Sequence, residues 1–315
     1  MAFYLYQDAG GDSLSSQAAR EMYQKLIELV MPNDQLKRCN YPHRDPANPE
    51  LCMATTKDGQ RLTLQKEFAS SYVCSHCKEM YSVDKDGIPL MTEGICSYHC
   101  GFLRFPDDQY PCCGGGPSAV GCRSNIYHVH EGELELDNYK GFVETQPKPE
   151  REPDRHGIYA LDCEMCYTTY GLELTRVTLV DHDYKVVYDK LVKPRNPILD
   201  YFTASSGISE SDLNEVSTRL TDVQRDLLEM FSNKTIIIGH GLDSDMKALK
   251  MFHEHFIDTA QLFPHKRGLP YKKALRTIAK EILGISIQRN KTGHDSKEDA
   301  CVALKLVMWK ANQRW

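Results

Sequence analysis

Apolar and polar positions follow different patterns in the two parts of the chain, and regular periods dominate only after residue 156. GIYALDCEM (157–165) is an apolar run interrupted by two acids and reads as a buried strand. ELTRVTLVDHDYKVVYDKLVKP (173–194) reads as two strands joined by a turn at Asp181–Tyr184. SESDL (209–213) and LTDVQRDLLEMF (220–231) read as helices, and TIIIGHG (235–241) as a short buried strand running into a turn. SDMKALKMF (244–252) reads as a helix and FIDT (256–259) as a short strand. YKKALRTIAKEILG (271–284) and SKEDACVALKLVMWK (296–310) carry apolar residues at helical spacing, the first stopped by Gly284. Three strands followed by strands alternating with helices predict an α/β sheet with its site at strand ends.

Earlier in the chain, residues 1–16 are polar and rich in Gly and Ser, as in a loose leader. AAREMYQKLIELV (18–30) is patterned as an amphipathic helix, and the turn-rich stretch 32–50 is expected to be irregular. From Cys74 to His130 the chain is dense in Cys, Gly and His with little apolar period, and such a stretch needs a metal to fold. ETQPKPEREPDRH (144–156) reads as a linker. The predicted organisation is an N-terminal leader with one helix (1–72), a Cys/His-rich zinc-binding module (73–143), the linker (144–156) and an α/β domain (157–315).

Composition narrows the class. At 41% hydrophobic and 26% charged residues the chain can build a sizeable core, which excludes wholesale disorder. The first residues lack the basic and apolar regions of a signal peptide, and no apolar run approaches a membrane span, so a soluble intracellular protein is expected. In that setting twelve cysteines point to metal binding rather than disulfides. The net charge of −6 does not advertise nucleic-acid binding, but it is uneven: −8 over residues 1–154 and +2 over residues 155–315. The C-terminal part is the one able to meet a polyanion.

The candidate chemistry begins at Asp162 and Glu164. Residues two apart in a strand share a face, so the two carboxylates project together while Cys163 points away. Side by side in an apolar strand they repel and lose solvation, and a divalent cation with oxygen ligands, Mg²⁺ or Mn²⁺, is the natural remedy. Strand geometry splays Cys163 and Cys166, which read as packing residues. Asp245 falls in the first turn of a helix opening near Asp243. Asp299 falls in the first turn of the last helix, with His294 in the loop before it. Taken singly, each acid is as well explained by a helix dipole or a solvated strand end. A loop histidine beside an anchored acid can also reach a metal-bound water. FPHKRGLPYKKALR (263–276) carries Lys266, Arg267, Lys272, Lys273 and Arg276 and reads as a phosphate-tracking groove.

The order D-x-E, H-x4-D, H-x4-D resembles the DEDDh exonucleases, metal-dependent 3′→5′ nucleases with an RNase H-like fold, a mixed five-stranded sheet flanked by helices. ALDCEMCYTTYGLELTRVTLVD, SGISESDL, IGHGLDSDMKALK, DTAQLFPHKRGLPYKKALR and GHDSKEDA resemble the Rex-type RNA exonucleases, within them the elongin-A-binding branch, over nearly all of 157–310. The resemblance implies that Asp162, Glu164, Asp245 and Asp299 hold two Mg²⁺ (or Mn²⁺) ions, with Asp162 bridging, and that His294 is the general base. It further implies single-stranded RNA 3′ ends as substrate, 5′-nucleoside monophosphates as products, a nuclear location, and substrate contacts at Ser206, Gly207 and His240. The family often has a bulky residue before SGI; here it is Ser205, which removes that stacking partner for the 3′ base. A DNA-directed exonuclease with the same five residues, or an idle adaptor working through its zinc module, are the alternatives.

In the cysteine-rich part, Cys74-x2-Cys77, Cys96-x2-His99, Cys112-Cys113, Cys122 and His128 supply six Cys and two His, enough for two tetrahedral zinc sites. Cys100 competes with Cys96, and His130 with His128, as ligands. The arrangement resembles a CHORD-type zinc module and lacks that family's additional histidine after the YH step. A structural role or a platform for a protein partner follows from it. Cys39 and Cys52 are expected to be free thiols.

Overall fold

The computed structural model describes residues 13–56, 59–91, 94–104, 106–148, 157–289 and 293–313. Much of the predicted leader (residues 1–12) and most of the predicted linker (149–156) lie outside them. Helix α1 (Ser13–Ile27) is followed by α2 (Asn33–Arg38) and a small hairpin of β1 (Arg44–Asp45) and β2 (Asn48–Cys52). The expected irregular stretch is therefore partly ordered. Asp34 in the first turn suits the helix dipole, and Leu36 is buried. In the hairpin turn, Ala47 N donates to Asp45 Oδ1 at 2.9 Å.

The Cys/His-rich stretch folds into two ribbons, β3 (Ser71–Val73) with β4 (Met80–Ser82) and β5 (Cys96–Tyr98) with β6 (Arg123–Asn125). Next, β7 (Val143–Glu144), at the border of the expected linker, pairs in parallel with Met251–Phe252.

The main sheet is built on β8 (Ile158–Thr168) and β9 (Gly171–Asp181), two eleven-residue antiparallel strands. β10 (Val186–Leu191) continues the meander. Its turn falls where the sequence predicts it, with Asp181 Oδ1 accepting from Asp183 N and Lys185 N, each at 2.9 Å. After β11 (Ile198–Asp200), the short helices α3 (Thr203–Ser206) and α4 (Glu210–Leu213), and α5 (Leu220–Met230), β12 (Ile236–Gly239) joins β8 in parallel. Then follow α6 (Leu242–Ala248), β13 (Met251–Phe252), β14 (Phe256–Asp258) parallel to β12, α7 (Thr259–Leu262), α8 (Leu275–Ile278) and α9 (Ser296–Asn312). The strand order is β10-β9-β8-β12-β14, with β11 pairing to the far end of β8 as a sixth strand. This is the RNase H-like α/β arrangement. The helix predicted over 271–284 is shorter than expected: α8 runs into a π turn at Ala279–Leu283, and Gly284 stops it with a left-handed φ of 71°.

Alternation along the strands separates two cores. On one face Ile158, Ala160, Val180, Ile236 and Ile238 pack against Ala300, Ala303, Leu304 and Val307 of α9 and against Leu26 and Leu29 of the N-terminal segment. On the other, Leu161, Cys163, Val177, Leu179 and Ile237 pack against Val223 and Leu227 of α5 and Leu242 and Met246 of α6. Met31, Leu36, Cys39 and Tyr41 complete that second core. The N-terminal segment thus covers both faces of the sheet. Among the described residues no helix is long and apolar enough to cross a membrane.

Candidate active site and candidate metal centres

β8 carries Asp162 and Glu164 to one face of the sheet. A bulge follows at once: Glu164 lies opposite Arg176 and Met165 opposite Leu174. The extra residue, Thr175, donates its hydroxyl to the Glu164 carbonyl oxygen at 2.9 Å. Bulges of this kind re-aim side chains beside a site. β12 ends at Gly239, where a Cβ would come within 2.3 Å of the Leu242 side chain and 2.8 Å of the Leu161 carbonyl oxygen. Only glycine lets the chain turn there. The turn sets Asp245 in the first turn of α6, where its Oδ1 accepts from Cys163 N at 2.9 Å. Asp299, in the first turn of α9, accepts from Gln288 Nε2 through Oδ2 at 2.8 Å. His294 stands at the rim with its side chain 41% exposed and Nδ1 3.7 Å from Asp299 Oδ2.

Burial and mutual repulsion dominate the electrostatics. Burial, then Asp245, Glu164 and Asp299, hold the Asp162 carboxyl well above the ordinary range. Burial, then Asp299 and Asp245, push Glu164 to about 9, against a smaller pull from Arg176. Burial takes Asp245 to about 7 and Asp299 to about 6, opposed by their hydrogen bonds from Cys163 N and Gln288. His294 is lowered, first by burial and then by the Arg276 charge. Glu164 Oε1 and Asp299 Oδ1 are buried without a hydrogen-bond partner. Unpartnered carboxylate oxygens on converging acids suit a hard divalent cation.

The four acids are less tightly gathered than the thiols. Among the described residues, the groups whose ligand atoms all lie within 4.8 Å of one another are Cys74, Cys77, Cys96 and His128, and His99, Cys112, Cys113 and Cys122. In the first, Cys74 Sγ is 3.6 Å from Cys96 Sγ and Cys77 Sγ is 3.2 Å from His128 Nδ1. In the second, His99 Nδ1 is 3.4 Å from Cys113 Sγ and 3.7 Å from Cys112 Sγ. His99 Nε2 lies 3.1 Å from the Ala119 carbonyl oxygen, which leaves Nδ1 for a metal. Backbone amides of His76 and Gly115 reach Cys74 Sγ and Cys113 Sγ, each at 3.4 Å. Of the alternatives left open by spacing, Cys96 and His128 are the ones inside these groups. Cys100 belongs to neither, and His130 instead stacks on Tyr72 at 3.9 Å and accepts from Gly132 N at 3.1 Å.

The expected substrate contacts sit on several turns and helices. Ser206 is buried, donating to Tyr201 O at 2.9 Å and accepting from Ile208 N at 3.1 Å, so its hydroxyl holds its own turn. Gly207 has φ 67°, and a Cβ on Gly293 would come within 2.2 Å of Gly207 N, so the two loops meet without side chains between them. Ser205 O accepts from His294 N at 2.8 Å. His240 Nδ1 lies 2.9 Å from Thr259 Oγ1. Lys272 is paired with Asp243, and Lys273 with Glu281 at 2.8 Å, so these two are engaged within the protein. Lys266 and Arg267 are exposed, Arg267 over the Tyr271 ring at 5.3 Å, and Arg276 is the member of the run whose charge reaches His294. Cys163 and Cys166 are buried packing residues and, with Cys39 and Cys52, free thiols. Sequence patterns do not single out Gln288, nor Arg176, whose guanidinium grips Asp189 at 2.8 and 2.7 Å beside Glu164. Neither has a motif signal, because each acts through a partner distant in sequence.

Among families, the exonuclease family RNase_T matches residues 160–307. Exonuclease GOR of Pan troglodytes is 45% identical over 93% of this chain and 42% of its own length. RNA exonuclease 1 homolog of Homo sapiens is 45% identical over 93% of this chain and 24% of its own. RNA exonuclease 1 of Saccharomyces cerevisiae is 46% identical over 59% of this chain and 33% of its own. The chain spans less than half the length of these curated relatives.

Proposed function

We propose that this chain, which belongs to the RNase_T exonuclease family and its RNA exonuclease branch, is a divalent-metal-dependent 3′→5′ exoribonuclease. The observation that carries the reading is the convergence of Asp162, Glu164, Asp245 and Asp299, with two orphaned oxygens, beneath a half-exposed histidine held below its ordinary pKa. Asp162, Glu164, Asp245 and Asp299 would hold two Mg²⁺ or Mn²⁺ ions, which neutralise the scissile phosphate and lower the pKa of water.

The protein's own part follows from the geometry. A lowered pKa keeps His294 neutral near pH 7, so its imidazole can accept the proton of the attacking water. Anchored at the main chain by Ser205, it presents the ring at the open rim where a phosphate can enter. Arg276, whose charge reaches His294, offers positive charge beside that rim, and Lys266 and Arg267 are exposed on the same segment of chain. The names of the relatives support RNA as the substrate, and a zinc ion at each Cys/His centre suits the sulfur and nitrogen donors.

The test is a 5′-labelled single-stranded RNA incubated with Mg²⁺ and either the native protein or Asp162→Ala. A ladder shortening from the 3′ end, lost with EDTA and in the variant, is expected. Intact RNA with folded, metal-loaded native protein would overturn the reading in favour of an adaptor, and preferential cleavage of DNA in competition would redirect it to DNA.

A further inference from the structure

The Cys/His module is not a detached neighbour of the exonuclease sheet. Its first metal centre includes Cys74 and Cys77, and His76 sits between them with its backbone amide on Cys74 Sγ at 3.4 Å. The His76 side chain bridges the module and the sheet. Its Nε2 lies 2.9 Å from Asp200 Oδ2, with the two side chains only 5% and 15% exposed. Its ring stacks on Tyr98 at 4.2 Å, meets Tyr167 of β8 edge-on at 5.0 Å, and stacks on Phe202 at 5.4 Å. A side chain so enclosed has one orientation.

Asp200 passes that order on. Its other oxygen, Oδ1, accepts from Phe202 N at 2.7 Å. Phe202 has a left-handed φ of 51°, a conformation that costs a bulky residue free energy unless neighbours hold it. The Phe202 carbonyl oxygen accepts from Ser205 N at 2.8 Å and Ser206 N at 3.0 Å, and the Ser205 carbonyl oxygen accepts from His294 N at 2.8 Å. Gly293, next to His294, abuts Gly207 on the same turn. One continuous set of short hydrogen bonds therefore joins the module to the backbone of the candidate base.

We propose that His76 and Asp200 are positioning residues, through which the first Cys/His centre sets the 202–207 turn and thereby the placement of His294. The metal centre would then support hydrolysis without touching substrate. The inference rests on the reading of His294 as general base only for its kinetic consequence; the coupling of the two loops stands on the contacts alone.

The experiment compares native protein with His76→Ala, His76→Gln and Asp200→Asn, each with its Cys/His centres loaded. Three quantities are measured: bound zinc per chain, kcat and KM on single-stranded RNA, and amide hydrogen exchange resolved to 200–208 and 293–296. For His76→Ala we expect unchanged zinc, KM within about 2-fold, kcat reduced by roughly 10- to 100-fold, and faster exchange confined to those two segments. His76→Gln, which can place an amide near the lost Nε2, should recover most of both kcat and protection. Asp200→Asn keeps an acceptor for Phe202 N and should fall between them. Native kcat and native exchange in His76→Ala would overturn the proposal. So would loss of zinc, or exchange raised evenly over the chain, since both would mark His76 as a general structural residue. If native protein lacked nuclease activity, the exchange arm alone would still decide the coupling.

Discussion

Gln288 Nε2 donates to Asp299 Oδ2 at 2.8 Å, while the other oxygen of the same carboxylate, Oδ1, is buried without a partner. One oxygen is thus held by the protein and the other is left for a ligand. Gln288→Leu should leave the fold intact, since it removes one hydrogen bond to a carboxylate, worth about 1.5–3 kcal/mol. It should weaken the Mg²⁺ dependence of RNA hydrolysis by roughly 10-fold, the usual effect of losing a support behind a metal ligand. A Mg²⁺ titration of initial rates checks this, and an unchanged half-saturation would show that Asp299 orients itself unaided.

Crowded acids make the metal-free site unstable in a pH-dependent way. Glu164 is pushed to about 9 by burial, Asp299 and Asp245, above its ordinary value of 4.5. A carboxyl with a raised folded pKa costs nothing below 4.5, and its cost grows as pH rises towards 9, because the unfolded chain gives up the proton first. In EDTA, stability should fall between pH 5 and pH 8. Glu164→Gln should stabilise the metal-free protein at pH 7.5 by about 4 kcal/mol while abolishing hydrolysis. Mg²⁺ should raise the melting temperature of native protein more than that of the variant.

His253 gives the opposite slope. It is 5% exposed, with Nε2 2.7 Å from Thr235 O and Nδ1 2.8 Å from Thr145 Oγ1, and burial lowers it to about 4 from 6.5. The unfolded chain takes up the proton below 6.5 and the folded protein only near 4, so stability is present above 6.5 and lost as pH falls through that window. Between pH 7 and pH 5 this residue should remove about 2 kcal/mol. Urea unfolding of native protein and His253→Gln at both pH values isolates the term; equal slopes would refute it.

His294→Ala should lower kcat by about 100-fold or more, in the range for a general base, with Mg²⁺ half-saturation nearly unchanged. With its pKa below 6.5, from burial and Arg276, the acid limb of the native kcat profile should lie below pH 6.5. Arg276→Ala should move that limb upwards.

At the Cys/His centres, Cys96→Ser and His128→Ala should each release one of two zinc ions, whereas Cys100→Ser and His130→Ala should retain both. Metal analysis of the purified variants decides it. Removing the first zinc should also expose Val129, Tyr167 and Leu199, which are buried together where the module meets β8 and β11.

Much of the fold is legible in local sequence. The β8 pattern, the turn at Asp181–Tyr184 and the helix after His294 follow from periods of two and of 3.6 residues, which local backbone geometry imposes wherever one face is buried. The shared face of Asp162 and Glu164 follows from the same rule. The stretch at 32–50 looks irregular in sequence because the helix that forms there is six residues long and the strands that begin there two and five, too short to show a period.

The sequence alone thus determined the α/β class, the strand-borne pair of acids and a Cys/His set sufficient for two metals, because each is written in local spacing. Tertiary structure decided which thiols and imidazoles meet, that Lys272 and Lys273 are spent on Asp243 and Glu281, and that Gln288 holds Asp299. It also decided that His76 and Asp200 join the module to the turn beneath His294. Those relationships bring together residues up to 124 positions apart, as in His76 and Asp200. Only the packing of the two cores, and not any periodicity along the chain, sets such distances.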